Sequence, residues 1–211
     1  MWVKICGITQ AEQAIAIARR GATHLGFICV TQSPRYVDPA ALATITQALD
    51  AAQTVVKTVG VFANAPLAEV CSVARQANLS HVQLHGQESL EQCQQLRAEL
   101  PGVSIIKAVR VRACKDLVQA KTYVPHVDAL ILDAYHPQHL GGTGLTLDWN
   151  ALVSFTPACP WLLAGGLTPK NVRTALSTLQ PDGIDLSSGV EQHPGVKDLG
   201  LVQRLFEQLQ H

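Results

Sequence analysis

The chain has 211 residues, with 16 basic and 16 acidic side chains that cancel to a formal net charge of zero. That balance excludes the broad basic face of a nucleic-acid or anionic-membrane binder, and no apolar run approaches the roughly 20 residues needed to span a bilayer. Apolar residues make up 47% of the chain and aromatics only 5%, so the core must be built from small aliphatic side chains.

Short β-rich runs alternate with amphipathic stretches eight times. The first strand is predicted at Trp2–Cys6, followed by a helix over 10–20. The second, His24–Val30, leads to a helix over 39–52 that Asp38-Pro39 opens with an N-cap acid before a first-turn proline. The third, Val55–Phe62, precedes a helix over 66–77 in which Leu67, Val70, Cys71 and Ala74 recur at i, i+3, i+4 and i+7. Asn64-Ala65-Pro66 and Thr168-Pro169 read as helix starts of the same kind as Asp38-Pro39. Strands at His81–Leu84, Ser104–Val109 and Ala129–Asp133 alternate with helices over 88–99, 114–121 and 148–155. The last two units pair Trp161–Ala164 with 169–178 and Gly183–Ser187 with 197–209.

Strict βα alternation implies a parallel sheet with right-handed crossovers. Eight units of roughly 26 residues close more naturally into an α/β (β/α)8 TIM barrel with eight parallel strands than into an open sheet. No linker or low-complexity stretch divides the chain, so residues 1–211 are expected to form a single barrel domain. The six cysteines are scattered without a C-x-x-C pair, as in a reduced, cytoplasmic protein. The amino terminus lacks the basic and apolar regions of a signal peptide. With no long exposed apolar face in the pattern, a monomer is the default.

In a barrel of this kind the chemistry sits at the C-terminal strand ends. Those ends carry Cys6, Cys29, Phe62, His85, Arg110, Asp133, Gly165-Gly166 and Ser187-Ser188-Gly189. Glycine-bearing loops after the seventh and eighth strands let backbone N–H groups approach an anion closely, so Gly165, Gly166, Ser187, Ser188 and Gly189 are the candidate phosphate grip. Alternation along the first strand turns Lys4 and Cys6 into the barrel, where Lys4 is expected to lower the thiol pKa. Asp133 ends an apolar run, a costly place for a carboxylate unless it is paired or used; its setting is expected to keep it protonated as a general acid. Arg35, stiffened by Pro34, has the planar fork that holds a carboxylate.

These segments, in order, resemble the phosphoribosylanthranilate isomerase family of tryptophan biosynthesis over essentially the whole chain. The resemblance rests on Val3-Lys4-Ile5-Cys6-Gly7-Ile8-Thr9, Gly26-Phe27-Ile28, Ser33-Pro34-Arg35-Tyr36-Val37 and Val59-Gly60-Val61-Phe62. It continues through Val82-Gln83-Leu84-His85-Gly86, Leu132-Asp133 with Gly141-Gly142-Thr143-Gly144, Leu163-Ala164-Gly165-Gly166-Leu167 and Gly183 to Glu191. It departs mildly from the family where Cys29-Val30-Thr31-Gln32 precedes Ser33, since the family often has an aromatic near Cys29. The resemblance implies an Amadori rearrangement with Cys6 as general base, Asp133 as general acid and Arg35 binding the anthranilate carboxylate. No metal or organic cofactor is implied, only a small phosphosugar–anthranilate substrate.

Gln83 and His85 are expected to line the aromatic end of the pocket, and Asp185 to touch the sugar or balance Lys4. The loop Tyr135–Gly144, with Gly142 and Gly144, reads as a lid over the substrate. Asp133-x-x-His136-x-x-His139 has the look of a metal site, but the intervening Pro137 and the glycines beyond argue for a loop rather than a fixed ligand face. Two rivals stand beside this reading: the related aldose–ketose isomerase of histidine biosynthesis, which takes a bisphosphate, and a non-catalytic phosphosugar-binding barrel. Cys6 in place of an aspartate, and the lack of a second glycine-serine loop in the first half, speak against the former. The joint presence of Cys6 and Asp133 speaks against the latter.

Overall fold

The computed structural model describes residues 1–133 and 150–210. Its strands are β1 (Trp2–Cys6), β2 (His24–Ile28), β3 (Lys57–Phe62), β4 (His81–Leu84), β5 (Ser104–Arg110), β6 (Ala129–Asp133), β7 (Trp161–Ala164) and β8 (Gly183–Leu186). They pair in parallel in chain order and close when β8 returns to β1, with Lys4 opposite Asp185. The helices are α1 (Ala11–Ala18), α2 (Pro39–Ala51), α3 (Leu67–Gln76), α4 (Leu90–Glu99), α5 (Cys114–Tyr123), α6 (Asn150–Val153), α7 (Val172–Thr178) and α8 (Leu199–Leu209).

Because side chains alternate across a strand, the apolar residues sort into two bodies. Val3, Ile5, Leu25, Phe27, Leu130 and Leu132 belong to the large outer cluster packed beneath the helices. Val59, Ile106, Ala108, Ala129, Ile131, Leu162 and Ala164 form a separate cluster inside the barrel. At the N-terminal end of the barrel, Trp2 stacks on His24 with ring centroids 4.4 Å apart, and His81 meets His24 edge-on at 5.1 Å. Burial holds both imidazoles neutral, pushing His24 down to about 3 and His81 to about 4.

Several boundaries differ from the sequence expectation for local reasons. β2 stops at Ile28 because Val30 opens a turn through the Ser33 N–H. β3 starts at Lys57, since Gln53 takes a left-handed φ of 52° and Val55 is fully exposed. β8 ends at Leu186, followed by a 3₁₀ turn at Ser188–Val190. Asp38 caps α2 as expected, accepting from the Ala40 and Ala41 amides at 3.0 Å. Asn64 does not cap α3; it sits at φ 55° and accepts from the Gln87 amide. Thr168-Pro169 does not open α7 either, because the helix starts at Val172 behind Asn171.

The largest departure lies after β8. A two-stranded antiparallel hairpin, β9 (Glu191–His193) and β10 (Val196–Lys197), stands where the sequence suggests only loop. The final helix begins only after it, at Leu199, where Asp198 accepts from Gly200 and Leu201 amides at 2.8 and 2.9 Å.

Candidate active site

Trp2, Lys4 and Cys6 face the barrel interior, as alternation requires, while Val3 and Ile5 join the outer core. Lys4 is fully buried and its Nζ donates to Asp185 Oδ2 at 2.9 Å across the closing seam. Gly26 makes this crowding possible, since a Cβ there would meet Cys6 Sγ at 2.7 Å and Lys4 Nζ at 3.0 Å. Burial alone would lower the Lys4 pKa, but Asp185 and Cys6 beside it outweigh that and raise it. Lys4 does pull the thiol pKa down, as expected, but the net shift is upward. Burial raises the Cys6 pKa beyond what Lys4 offsets, and the Asp185 carboxylate pushes it the same way.

Asp133 ends β6 and contributes to the wall of the same cavity as Cys6. Its Oδ2 lies 3.8 Å from His85 Nε2, an approach too long for a hydrogen bond. The Nδ1 of His85 stands 3.1 Å from Gln83 Nε2. Two buried acceptors on the cavity wall, Gln83 Oε1 and Asp185 Oδ1, have no hydrogen-bond partner among the described residues. Such groups are costly unless something else donates to them.

The loops after β7 and β8 interlock. Gly165 and Gly166 adopt φ of 96° and 64°, a left-handed backbone that side chains resist. A Cβ on Gly189 would run into the Leu167 carbonyl, so glycine there lets the second loop pack on the first. Gly165, Gly166, Ser187, Ser188 and Gly189 thereby share one cavity of about 250 Å³ with Cys6 and Asp133.

Arg35 stands beside this cavity rather than in its wall. Its Cδ lies 2.7 Å from where a Cβ on Gly7 would sit, with Ser187 Oγ at 3.2 Å and Lys197 Nζ at 3.4 Å from the same point. The guanidinium is bound side-on to Glu191: Nε donates to Oε1 at 2.9 Å and Nη2 to Oε2 at 2.7 Å. Lys197 Nζ donates to the same carboxylate, at 2.7 Å from Oε1, and to the Ser187 carbonyl at 3.3 Å. Burial pulls the Glu191 pKa up, but the bonds from Arg35 and Lys197 bring it below the ordinary carboxylate value.

The family model for N-(5'-phosphoribosyl)anthranilate (PRA) isomerase matches residues 3–208. The chain belongs to the PRA isomerase family. A relative from Trichormus variabilis with that name is 57% identical over 213 residues, spanning 99% of this chain and 98% of the relative. One from Synechococcus elongatus is 56% identical over 98% of this chain and 95% of its own length. Among solved structures, the PRA isomerase from Thermotoga maritima superposes with a TM-score of 0.87 at 34% identity, covering 100% of this chain and 98% of its own. Another, at TM-score 0.85 and 33% identity over the same shares, is a PRA isomerase in complex with reduced 1-(o-carboxyphenylamino)-1-deoxyribulose 5-phosphate. Membership makes this an aldose–ketose isomerase of tryptophan biosynthesis built on a TIM barrel.

For a PRA isomerase the sequence-predicted residues converge well. Cys6, Gln83, His85, Asp133 and Asp185 meet in one cavity with the two glycine loops. Cys29 and Phe62 do not; both turn into the outer core, and Ile28 and Val61 line the cavity in their place. Gly142 and Gly144, with His136 and His139, lie outside the described residues. Sequence reasoning missed the part played by Glu191 and Lys197. The Pro194-Gly195 pair was the available signal, since it marks the turn that folds Lys197 back onto Glu191. No helix in the described residues is long and apolar enough to cross a membrane.

Proposed function

We propose that the chain, acting as one barrel domain over residues 1–211, converts N-(5'-phosphoribosyl)anthranilate to 1-(2-carboxyphenylamino)-1-deoxyribulose 5-phosphate with Cys6 as general base and Asp133 as general acid. The observation that carries this reading is the shared cavity, which sets a thiol and a carboxylic acid beside an interlocked pair of glycine loops. On this reading Asp133 protonates the ring oxygen while the anthranilate nitrogen lone pair expels it, opening the furanose to a C1 iminium. Cys6 thiolate then takes the proton from C2, and that electron pair becomes the C1=C2 bond of an enolamine as nitrogen regains its lone pair. Loss of the C2 hydroxyl proton and protonation at C1 complete the ketone. Each positioned proton transfer is worth about 10²–10⁴-fold.

The raised thiol pKa makes thiolate scarcer but more basic once formed, which suits abstraction of a weakly acidic C–H proton. Gln83 Oε1 and Asp185 Oδ1, buried and without a hydrogen-bond partner among the described residues, belong to cavity-lining side chains and fit a substrate rich in hydroxyl donors. Gly165, Gly166, Ser187, Ser188 and Gly189 would hold the phosphate and Arg35 the carboxylate, with His85 at the aromatic ring. Gly142 and Gly144 would belong to the covering loop.

A single phosphate fits better than two. In the first half of the barrel the corresponding loop amides are already taken, since Asn64 N and Gly86 N donate to the Glu88 carboxylate at 2.8–3.1 Å. The reading needs no metal or organic cofactor and places the enzyme in the cytoplasm as a monomer. The test is loss of phosphoribosylanthranilate fluorescence on mixing with enzyme. Turnover by wild type that is abolished in Cys6→Ala and Asp133→Asn is expected; normal turnover by either variant would refute its assigned role.

A further inference from the structure

We propose that Glu191, backed by Lys197, is a positioning residue that fixes Arg35 so that one particular edge of its guanidinium is reserved for the substrate carboxylate. The inference rests on the proposed role of Arg35 and extends it to two side chains that take no part in the proton transfers.

A guanidinium offers two forks to a carboxylate, one side-on through Nε and Nη2 and one end-on through Nη1 and Nη2. Glu191 occupies the side-on fork, with bonds of 2.9, 3.1 and 2.7 Å. Among the described residues the end-on fork has no partner, and Arg35 keeps 21% of its side chain exposed while Glu191 keeps only 4%. A free arginine would lose rotamer freedom on seizing a ligand. Here Glu191 removes that freedom beforehand, so binding proceeds on a pre-set fork.

Glu191 is itself fixed. Lys197 Nζ donates to Oε1 at 2.7 Å, and the Gly195 amide approaches the same oxygen at 3.3 Å. Lys197 is tied in turn through its backbone to Gln13, with the Lys197 amide 2.9 Å from Oε1 and its carbonyl 3.1 Å from Nε2. Its Nζ also reaches the Ser187 carbonyl in the proposed phosphate loop. One chain of contacts therefore joins the two substrate anchors, running from Ser187 through Lys197 and Glu191 to Arg35, and it passes Gly7 directly after Cys6.

The opposite role has a different signature. If Glu191 were a stand-in for the substrate carboxylate, displaced on binding, it would compete with substrate, and removing its charge would lower KM. Its burial and its second cation argue that it stays in place.

The experiment compares wild type with Glu191→Gln, Glu191→Asp and Arg35→Met. It measures kcat and KM for phosphoribosylanthranilate, and inhibition constants for anthranilate and for 2-aminobenzamide, which lacks the charge. For Glu191→Gln we expect KM to rise about 10-fold or more, kcat to change far less, and the preference for anthranilate over the amide to collapse toward that of Arg35→Met. Glu191→Asp should restore part of that preference. A lowered KM, or a preference that Glu191→Gln leaves intact, would overturn the positioning role. A wild type that turns over but shows no preference, or a preference that survives Arg35→Met, would instead overturn the carboxylate reading of Arg35 on which the proposal rests. Should Glu191→Gln fail to fold with Lys197 left unpaired, the neutral pair Glu191→Gln with Lys197→Met carries the same test.

Discussion

Gly26→Ala tests whether the position of the Cys6 thiol is set by a bare Cα on the neighbouring strand. The added Cβ would lie 2.7 Å from Cys6 Sγ, 3.0 Å from Lys4 Nζ and 3.1 Å from Cys6 Cα. The Sγ contact is roughly 0.7 Å inside ordinary van der Waals separation. Lys4 cannot easily yield, because its Nζ is bonded to Asp185 at 2.9 Å. The backbone of Gly26 is also committed, its carbonyl accepting from Gly7 and Ile8 amides at 2.9 and 3.0 Å. The thiol is therefore the group that moves. Overpacking of this kind costs about 1–3 kcal/mol, which for a domain of this size lowers Tm by roughly 2–12 °C. A shift of the proposed base by most of an ångström should lower kcat by about 10–100-fold, since a 1 Å misplacement can cost about 10². Fluorescence turnover and differential scanning calorimetry read the two effects separately. Gly102→Ala is the control, because a Cβ there meets nothing within 4 Å. Wild-type kcat in Gly26→Ala, or an equal loss in Gly102→Ala, would refute the reasoning.

With burial holding the Cys6 pKa above the ordinary thiol value of 9.0, kcat/KM should still be climbing at pH 9, and Lys4→Met should move that limb higher; a limb that levels off near neutrality would contradict the assignment. His24 and His81 have folded pKa values of about 3 and 4 against 6.5 for the free side chain. The unfolded chain therefore takes up protons below pH 6.5 that the folded one refuses, and stability is lost as pH falls. Between pH 6 and 4.5 these two groups should add up to about 2.7 kcal/mol per pH unit to the slope of unfolding free energy; urea melts of His24→Phe/His81→Leu with an undiminished slope would contradict it. Glu88→Ala should uncover the Asn64 and Gly86 amides and strand the buried Lys107 ammonium, which now bonds Glu88 at 2.8 Å. A cost of about 3–5 kcal/mol is expected, partly recovered by inorganic phosphate. Equal stabilisation of variant and wild type by phosphate would sink that expectation.

The barrel was legible because its signals are local and repeated. Alternating faces along eight short runs placed every strand of the barrel, though not the β9–β10 hairpin, and they correctly turned Lys4 and Cys6 inward. The glycine loops were legible for the same reason, since their backbone geometry is written in the residue type. Direction around a strand's end was harder. Cys29 and Phe62 follow the alternation into the outer core, while their position in the chain alone suggested the mouth. Helix starts failed at Asn64 and Thr168 for different reasons: the Asn64 side chain accepts from the distant Gln87 amide, while the Thr168 hydroxyl accepts from the Lys170 amide in a turn that ends before the helix begins at Val172. The thiol pKa ran against expectation because a sequence shows that Lys4 is near, but not that Cys6 is buried or that Asp185 is shared. The Arg35–Glu191 pair spans 156 positions, a separation that only the closed barrel brings together.

The seam between β1 and β8 builds the cavity from opposite ends of the chain. The thiol comes from the first strand, while its neighbours Asp185 and Ser187 come from the last strand and the loop beyond it. The hairpin carrying Lys197 returns to residue 13 on the first helix. A chain that stopped at the seventh strand would carry the thiol of β1 but neither Asp185 nor the loop after β8 that shares its cavity.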